Sequence, residues 1–170
     1  MKFKYLTYLF VYILLALVSC TTNELQLEQL SSEEIQATPV SAFWQPADVF
    51  AIREEKKSDE VLYGRDLIIH TAYYFGPKGR IGQQTNGLNC QNCHLDAGTK
   101  PFGNNYGSVA STYPKVRARS GQMESIEKRI NDCFERSLNG KPLKENSKEM
   151  RAMVAYMKFL GENVPKGDKA

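Results

Sequence analysis

The sequence predicts an all-α domain, and three observations carry that prediction. Apolar residues recur three to four apart along residues 61–75 and 150–160, the spacing of helices that bury one face, and residues 124–138 also read as a helix. Helix-ending residues close these stretches: Gly76-Pro77, Asn139-Gly140-Lys141-Pro142, and Gly161 with Pro165 beyond it. Between the first two helices lies Cys90-Gln91-Asn92-Cys93-His94, a C-x-x-C-H run, preceded by the loop Gly82-Gln83-Gln84-Thr85-Asn86-Gly87.

The elements follow in order. Lys2 and Lys4 precede a mostly apolar run from Tyr5 to Val18 that ends in Leu17-Val18-Ser19-Cys20. This reads as a secretory signal peptide over residues 1–19 with a lipobox-like end. The apolar run is short for a membrane span of about 20 residues. Cys20 would become a lipid-bearing N-terminus, so the expected product is an exported lipoprotein held to a membrane by its lipid, facing the periplasm or the cell surface. Residues 20–42 are polar and read as a flexible tether. The domain is expected over residues 43–165, opening near Phe43-Trp44-Gln45-Pro46. A short helix is expected over residues 48–57. Ser58 reads as the N-cap of the next helix, with Asp59 and Glu60 in its first turn. Residues 88–95 read as a short helix carrying the cysteines, and residues 96–120, rich in Gly, Asn, Ser, Tyr and Pro, as a long loop. The last helix starts near Ser147, with Met150, Met153, Val154, Met157, Phe159 and Leu160 as its apolar positions.

A C-x-x-C-H run is the attachment site of a c-type haem: two thiols add to the haem vinyl groups, and the next imidazole faces the iron. Zinc would need four ligands, and there is no second CxxC or His pair to complete them. A redox dithiol of the thioredoxin kind wants a strand before the motif, whereas a loop precedes it here. The chain has two histidines, and one stands directly behind the cysteine pair. The expected architecture is therefore a cytochrome c-like domain, its helices packed around one covalent haem c attached at Cys90 and Cys93 with His94 as one axial ligand. Export agrees with this, since c-type haem is attached outside the cytoplasm.

Charge divides unevenly. Residues 20–60 hold 3 basic and 9 acidic side chains, and residues 61–170 hold 17 and 10. The basic folded part favours anionic ligands or acidic partner proteins. An exported haem protein without a basic-aromatic array is a poor match for nucleic acid.

The second axial ligand is open on the residues alone. Of the four cysteines, Cys20 goes to lipid and Cys90 and Cys93 to haem, which leaves Cys133. Met123 lies where ordinary monohaem cytochromes supply a methionine. His70 sits in a helical stretch and reads as a packing residue, and Met150, Met153 and Met157 have core spacing. Cys133 offers a thiolate, the strongest donor, which would lower the haem potential. Met123 and Cys133 are the two candidates. Arg129, Cys133 and Ser137 are spaced i, i+4, i+8 and so share a helix face. Lys115, Arg117 and Arg119 crowd the preceding loop. Cations beside a thiol favour thiolate, and guanidinium groups make a pocket for an oxyanion.

Four segments resemble the N-terminal haem domain of thiosulfate dehydrogenases, tetrathionate-forming enzymes related to the sulfur-oxidation cytochromes. They are Tyr63-Gly64-Arg65, the run from Gly87 to Thr99, Tyr113-Pro114-Lys115-Val116-Arg117-Ala118-Arg119, and the run from Arg129 to Leu143. The likeness covers about residues 61–160. It implies that Cys133 is the distal iron ligand and that Arg119, Arg129 and Ser137 surround the substrate. It also implies a cysteine–thiosulfonate intermediate that a second thiosulfate resolves to tetrathionate, two electrons leaving through haem. The arginines would offset repulsion between two anions. Family enzymes carry a second haem domain or draw on a partner cytochrome. This sequence has one C-x-x-C-H run, so turnover would require a redox partner, another cytochrome. Two functions follow as expectations: a monohaem electron carrier, and a catalytic subunit acting on a small sulfur oxyanion.

Overall fold

The computed structural model describes residues 43–170, which form one compact unit. The expected signal peptide, Cys20 and the tether lie outside the described residues. Five helices build the unit: α1 (Glu55–Ile69), α2 (Thr71–Phe75), α3 (Gly107–Thr112), α4 (Ile126–Asp132) and α5 (Lys148–Leu160). The all-α class holds, with one two-residue antiparallel ladder of β1 (Lys115–Val116) on β2 (Met123–Glu124). No helix among the described residues is long and apolar enough to cross a membrane.

The main packing is α1 against α5. The α5 positions read from the sequence, Met150, Met153, Val154, Met157, Phe159 and Leu160, are all buried, as are Ala152 and Tyr156. Val61, Leu67 and Ile68 of α1 meet them. Gly64 sets the closeness of the crossing. A Cβ there would stand 2.0 Å from the Ala152 carbonyl oxygen and 2.9 Å from Tyr156 Cβ. Around this contact, Lys57 lies 5.2 Å over the Phe159 ring and Lys148 lies 4.7 Å over Tyr63. The N-cap of α5 is as expected: Ser147 Oγ accepts from Met150 N at 3.1 Å.

Several elements depart from the sequence reading. Residues 48–57 do not make a helix. Asp48 caps a single 3₁₀ turn, Val49–Ala51, and Ile52 and Glu54 are extended. α1 starts at Glu55, so Ser58 lies inside it rather than capping it. The helix expected over residues 61–75 is broken at His70, whose φ is −116° and ψ 36°. Thr71 explains the break: its hydroxyl bonds the Leu67 and Ile68 carbonyls at 2.8 and 3.2 Å, and accepts from Cys90 N at 3.0 Å. The chain turns there to meet the cysteine motif. Within the stretch read as a loop, α3 forms from Gly107-Ser108-Val109-Ala110-Ser111-Thr112, all but Ala110 weak helix formers, held by their surroundings. Gly107 packs against Trp44, where a Cβ would fall 2.6 Å from Cε2. The helix expected over residues 124–138 starts after Ser125, whose hydroxyl accepts from Lys128 N at 3.1 Å, because Glu124 is taken by β2. It widens at its end to a π turn, Cys133–Ser137, where Leu138 N donates to Cys133 O at 2.9 Å.

Candidate functional site

The cysteine motif is not a regular helix. Cys90–Asn92 make one 3₁₀ turn, in which Asn89 and Asn92 exchange capping bonds. Asn89 also accepts from Ala72 N at 2.8 Å, and Gln91 donates to Ile69 O at 3.1 Å. The motif is thus stitched to the α1–α2 break. After His94 the chain enters a left-handed turn, Leu95–Gly98, with φ of 53° at Asp96, 57° at Ala97 and 82° at Gly98. Non-glycine residues adopt this region at a cost. Long-range contacts hold it: Tyr156 OH donates to Ala97 O at 2.9 Å, and Tyr106 N donates to Gly98 O at 2.9 Å.

That turn aims the imidazole. His94 Nδ1 lies 2.6 Å from the Asn104 carbonyl, so it carries the proton and leaves Nε2 as the acceptor, with the Asn104 side-chain Nδ2 3.5 Å from it. Tyr106 stacks on the ring at 4.4 Å between centroids and 27° between planes. Burial, with the nearby Arg129 charge, outweighs the Asn104 bond and pulls the His94 pKa below its ordinary value. A neutral imidazole, the ligand form, is favoured at pH 7.

Cys90, Cys93, His94 and Cys133 line one cleft, of about 960 Å³ counted out to its open mouth. Val109, Ile126, Ile130, Leu138, Met153 and Met157 give it apolar walls. Cys90, Cys93 and Cys133 are free thiols. Two thiols and an imidazole in the lining of an apolar cavity fit a covalent haem c; Cys133 is the other thiol there, and the thioethers of Met153 and Met157 also line it. Burial raises the Cys90 pKa to about 11, and burial also raises that of Cys133, more than the Arg129 charge lowers it. The thiolate expected from neighbouring cations is therefore not favoured in the chain alone. Iron would have to displace that proton.

The remaining residues divide. Arg129 and Ser137 line the cleft with Cys133. The i, i+4 face survives the π turn. Arg119 is exposed and outside the lining, while Arg117, two residues earlier, is inside it. Met123 is 64% exposed on β2 and does not reach the cleft, whereas Met153 and Met157 do. His70 is exposed, 3.7 Å from Asp66. Sequence reasoning missed Asn104 and Tyr106, which hold His94, and Thr71, which anchors Cys90. No local motif marks them, because each acts across a chain reversal.

Residues 82–165 match the family model described as the SoxA/TsdA cytochrome c domain. A thiosulfate dehydrogenase of Psychrobacter arcticus is 46% identical over 120 residues, covering 71% of this chain and 35% of that protein. Another, from Thiomonas intermedia, is 30% identical over 138 residues, covering 81% and 42%. The chain thus spans well under half the length of these relatives. A solved structure titled thiosulfate dehydrogenase (TsdBA) from Marichromatium purpuratum superposes with a TM-score of 0.68 at 24% identity. It covers 76% of this chain and 28% of that one, and supports the fold.

Proposed function

Residues 82–165 are a cytochrome c domain of the SoxA/TsdA family, and from that premise we propose that this chain is the haem-bearing electron-transfer unit of a thiosulfate-oxidising system. In this reading Cys90 and Cys93 would hold the haem, and His94 and Cys133 would bind its iron. The carrying observation is that His94 and Cys133 line one apolar cleft while Met123 lies outside it. The haem supplies a one-electron acceptor. Asn104 and Tyr106 fix the imidazole, and α4 with its π turn presents the sulfur. The motif at Cys20 supports an exported, lipid-anchored form of the same unit.

A catalytic reading of this site is favoured by Arg129 and Ser137 beside Cys133. The Cys133 thiolate and the outer sulfur of thiosulfate would join as a Cys133 Sγ–S–SO₃⁻ group, releasing two electrons. A second thiosulfate would attack that group, form tetrathionate and return the thiolate. Arg129 would hold the sulfonate oxygens and lower repulsion between the anions. One haem takes one of the two electrons, so a second cytochrome must take the other. The relative whose title names TsdBA motivates a partner of that kind.

Electron paramagnetic resonance of the ferric, haem-loaded protein tests the ligation. Thiolate ligation gives a low-spin signal with narrow g-spread, which Cys133→Ala abolishes. A spectrum of the His/Met type that survives Cys133→Ala would sink the proposal and leave a plain electron carrier. Thiosulfate-dependent haem reduction, measured with and without an added cytochrome, separates carrier from catalytic subunit.

A further inference from the structure

The β1–β2 ladder encloses a charged group that neither the haem nor the cysteines explain. Glu124 is 4% exposed, and no hydrogen bond reaches its Oε2. Among the described residues its one ionic partner is Arg117, whose Nε lies 3.6 Å from Oε2. Ser120 Oγ donates to Oε1 at 2.6 Å and fixes the carboxylate from the other side. Arg117 is gripped further along: Nη1 donates to Tyr113 OH at 3.3 Å. Its backbone closes the turn, with Arg117 N on Gln122 O at 3.0 Å and Gly121 N on Arg117 O at 2.8 Å. Tyr113 and Arg117 both line the cleft, with Arg129 and Cys133.

A buried carboxylate is costly to desolvate, and replacing both partners of a buried ion pair by apolar side chains is often no worse for stability. Burying one here behind an arginine orients that arginine, and the long guanidinium loses its rotamer freedom before any ligand arrives. Arg117 has five donors, of which one bonds Tyr113 and one faces Glu124 as an ion pair at 3.6 Å. The remaining donors belong to a side chain on the cleft wall.

We propose that Arg117 is an oxyanion-binding residue of the cleft and that Glu124 is its positioning residue, holding the guanidinium beside Arg129. The ligand chemistry is a pair of anionic oxygens. A sulfur oxyanion, in which case the inference rests on the proposed function, and the carboxylates of a bound haem share that chemistry.

The test uses haem-loaded protein, with thiosulfate affinity by calorimetry and the haem midpoint potential across pH. The variants are Arg117→Gln, Glu124→Gln, Ser120→Ala and the Arg117→Gln/Glu124→Gln double. Charge and positioning act with opposite sign. Removing the Glu124 charge alone would tighten anion binding, whereas losing a positioned guanidinium weakens it by about tenfold or more. Ser120→Ala keeps both charges and gives a smaller loss in the same direction, which covers a Glu124→Gln that folds poorly. In the double variant, Glu124→Gln adds nothing to Arg117→Gln.

Weaker thiosulfate binding at an unchanged potential identifies a sulfur oxyanion. A shifted potential with altered pH dependence and unchanged thiosulfate binding identifies the haem carboxylates, and this arm stands even if wild-type protein binds no thiosulfate. Tighter binding in Glu124→Gln, or no change in either quantity in Arg117→Gln, overturns the proposal.

Discussion

Gly64→Ala is the substitution that most directly probes how the helices make the cleft. The added Cβ would stand 2.0 Å from the Ala152 carbonyl oxygen and 2.6 Å from its carbon, where ordinary contact begins at 3.4 Å. The obstacle is backbone on the facing helix, which cannot swing aside as a side-chain tip would. α1 and α5 must therefore part by more than an ångström or shear along each other. Overpacking of this kind costs about 3 kcal/mol at the upper end of its usual range, and the better helix propensity of alanine returns about 1. The net loss is about 2 kcal/mol. At about 4 °C per kcal/mol for a domain of this size, the Tm falls by about 8 °C. The movement reaches the site, because Tyr156 follows Ala152 on α5 and holds the turn behind His94. Thermal unfolding of the haem-loaded variant by circular dichroism is the assay, with the haem spectrum recorded alongside. A Tm at or above that of the unmodified protein, with an unaltered spectrum, would refute the close crossing.

Two further predictions concern the helix that presents Cys133. Buried Asn131 ties the loop after that helix by accepting from Leu143 N at 2.8 Å and donating to Leu143 O at 3.0 Å. Asn131→Leu strands both groups and should cost about 3 kcal/mol, read as a lower urea midpoint at constant slope. The Lys128 ammonium, 2.5 Å from Asp132, holds that carboxyl below its ordinary value of 3.8. A depressed folded value stabilises above the unfolded value and is lost as pH falls through the folded one, so Asp132→Asn should flatten the acid-unfolding limb below about pH 4. An acid limb as steep as the original would remove Asp132 from that role.

The chemistry of the site was legible where it is local. Cys90, Cys93 and His94 declare themselves by adjacency, and Cys133 with Arg129 and Ser137 by helical spacing. α5 was legible because its apolar face and Ser147 cap agree with its packing. α3 was not, since Gly107, Ser108 and Thr112 are poor helix formers that Trp44 and the neighbouring chain stabilise. Nor was the left-handed run at Asp96 and Ala97, since Asp tolerates a positive φ but Ala gives no sign of one. The choice of Arg117 over Arg119 as the cleft arginine depends on strand register. Lys115 pairs with Glu124, and the following turn carries Arg119 away to solvent. The Tyr63-Gly64-Arg65 motif was legible as a likeness, and its glycine acquires a reason only when α5 is laid across it.

Under the proposed haem ligation, the grip on His94 would bear on the speed of electron transfer as well. An electron crosses quickly to a centre whose surroundings rearrange little between its two charge states. An imidazole stacked on Tyr106 and bonded at 2.6 Å to Asn104 has few ways to shift when charge arrives. The turn behind it is braced in turn by Tyr156 on α5. With haem bound as proposed, such bracing would keep the reorganisation energy on the His94 side small, and the nuclear adjustment would fall to Cys133, which sits on the π turn of its helix.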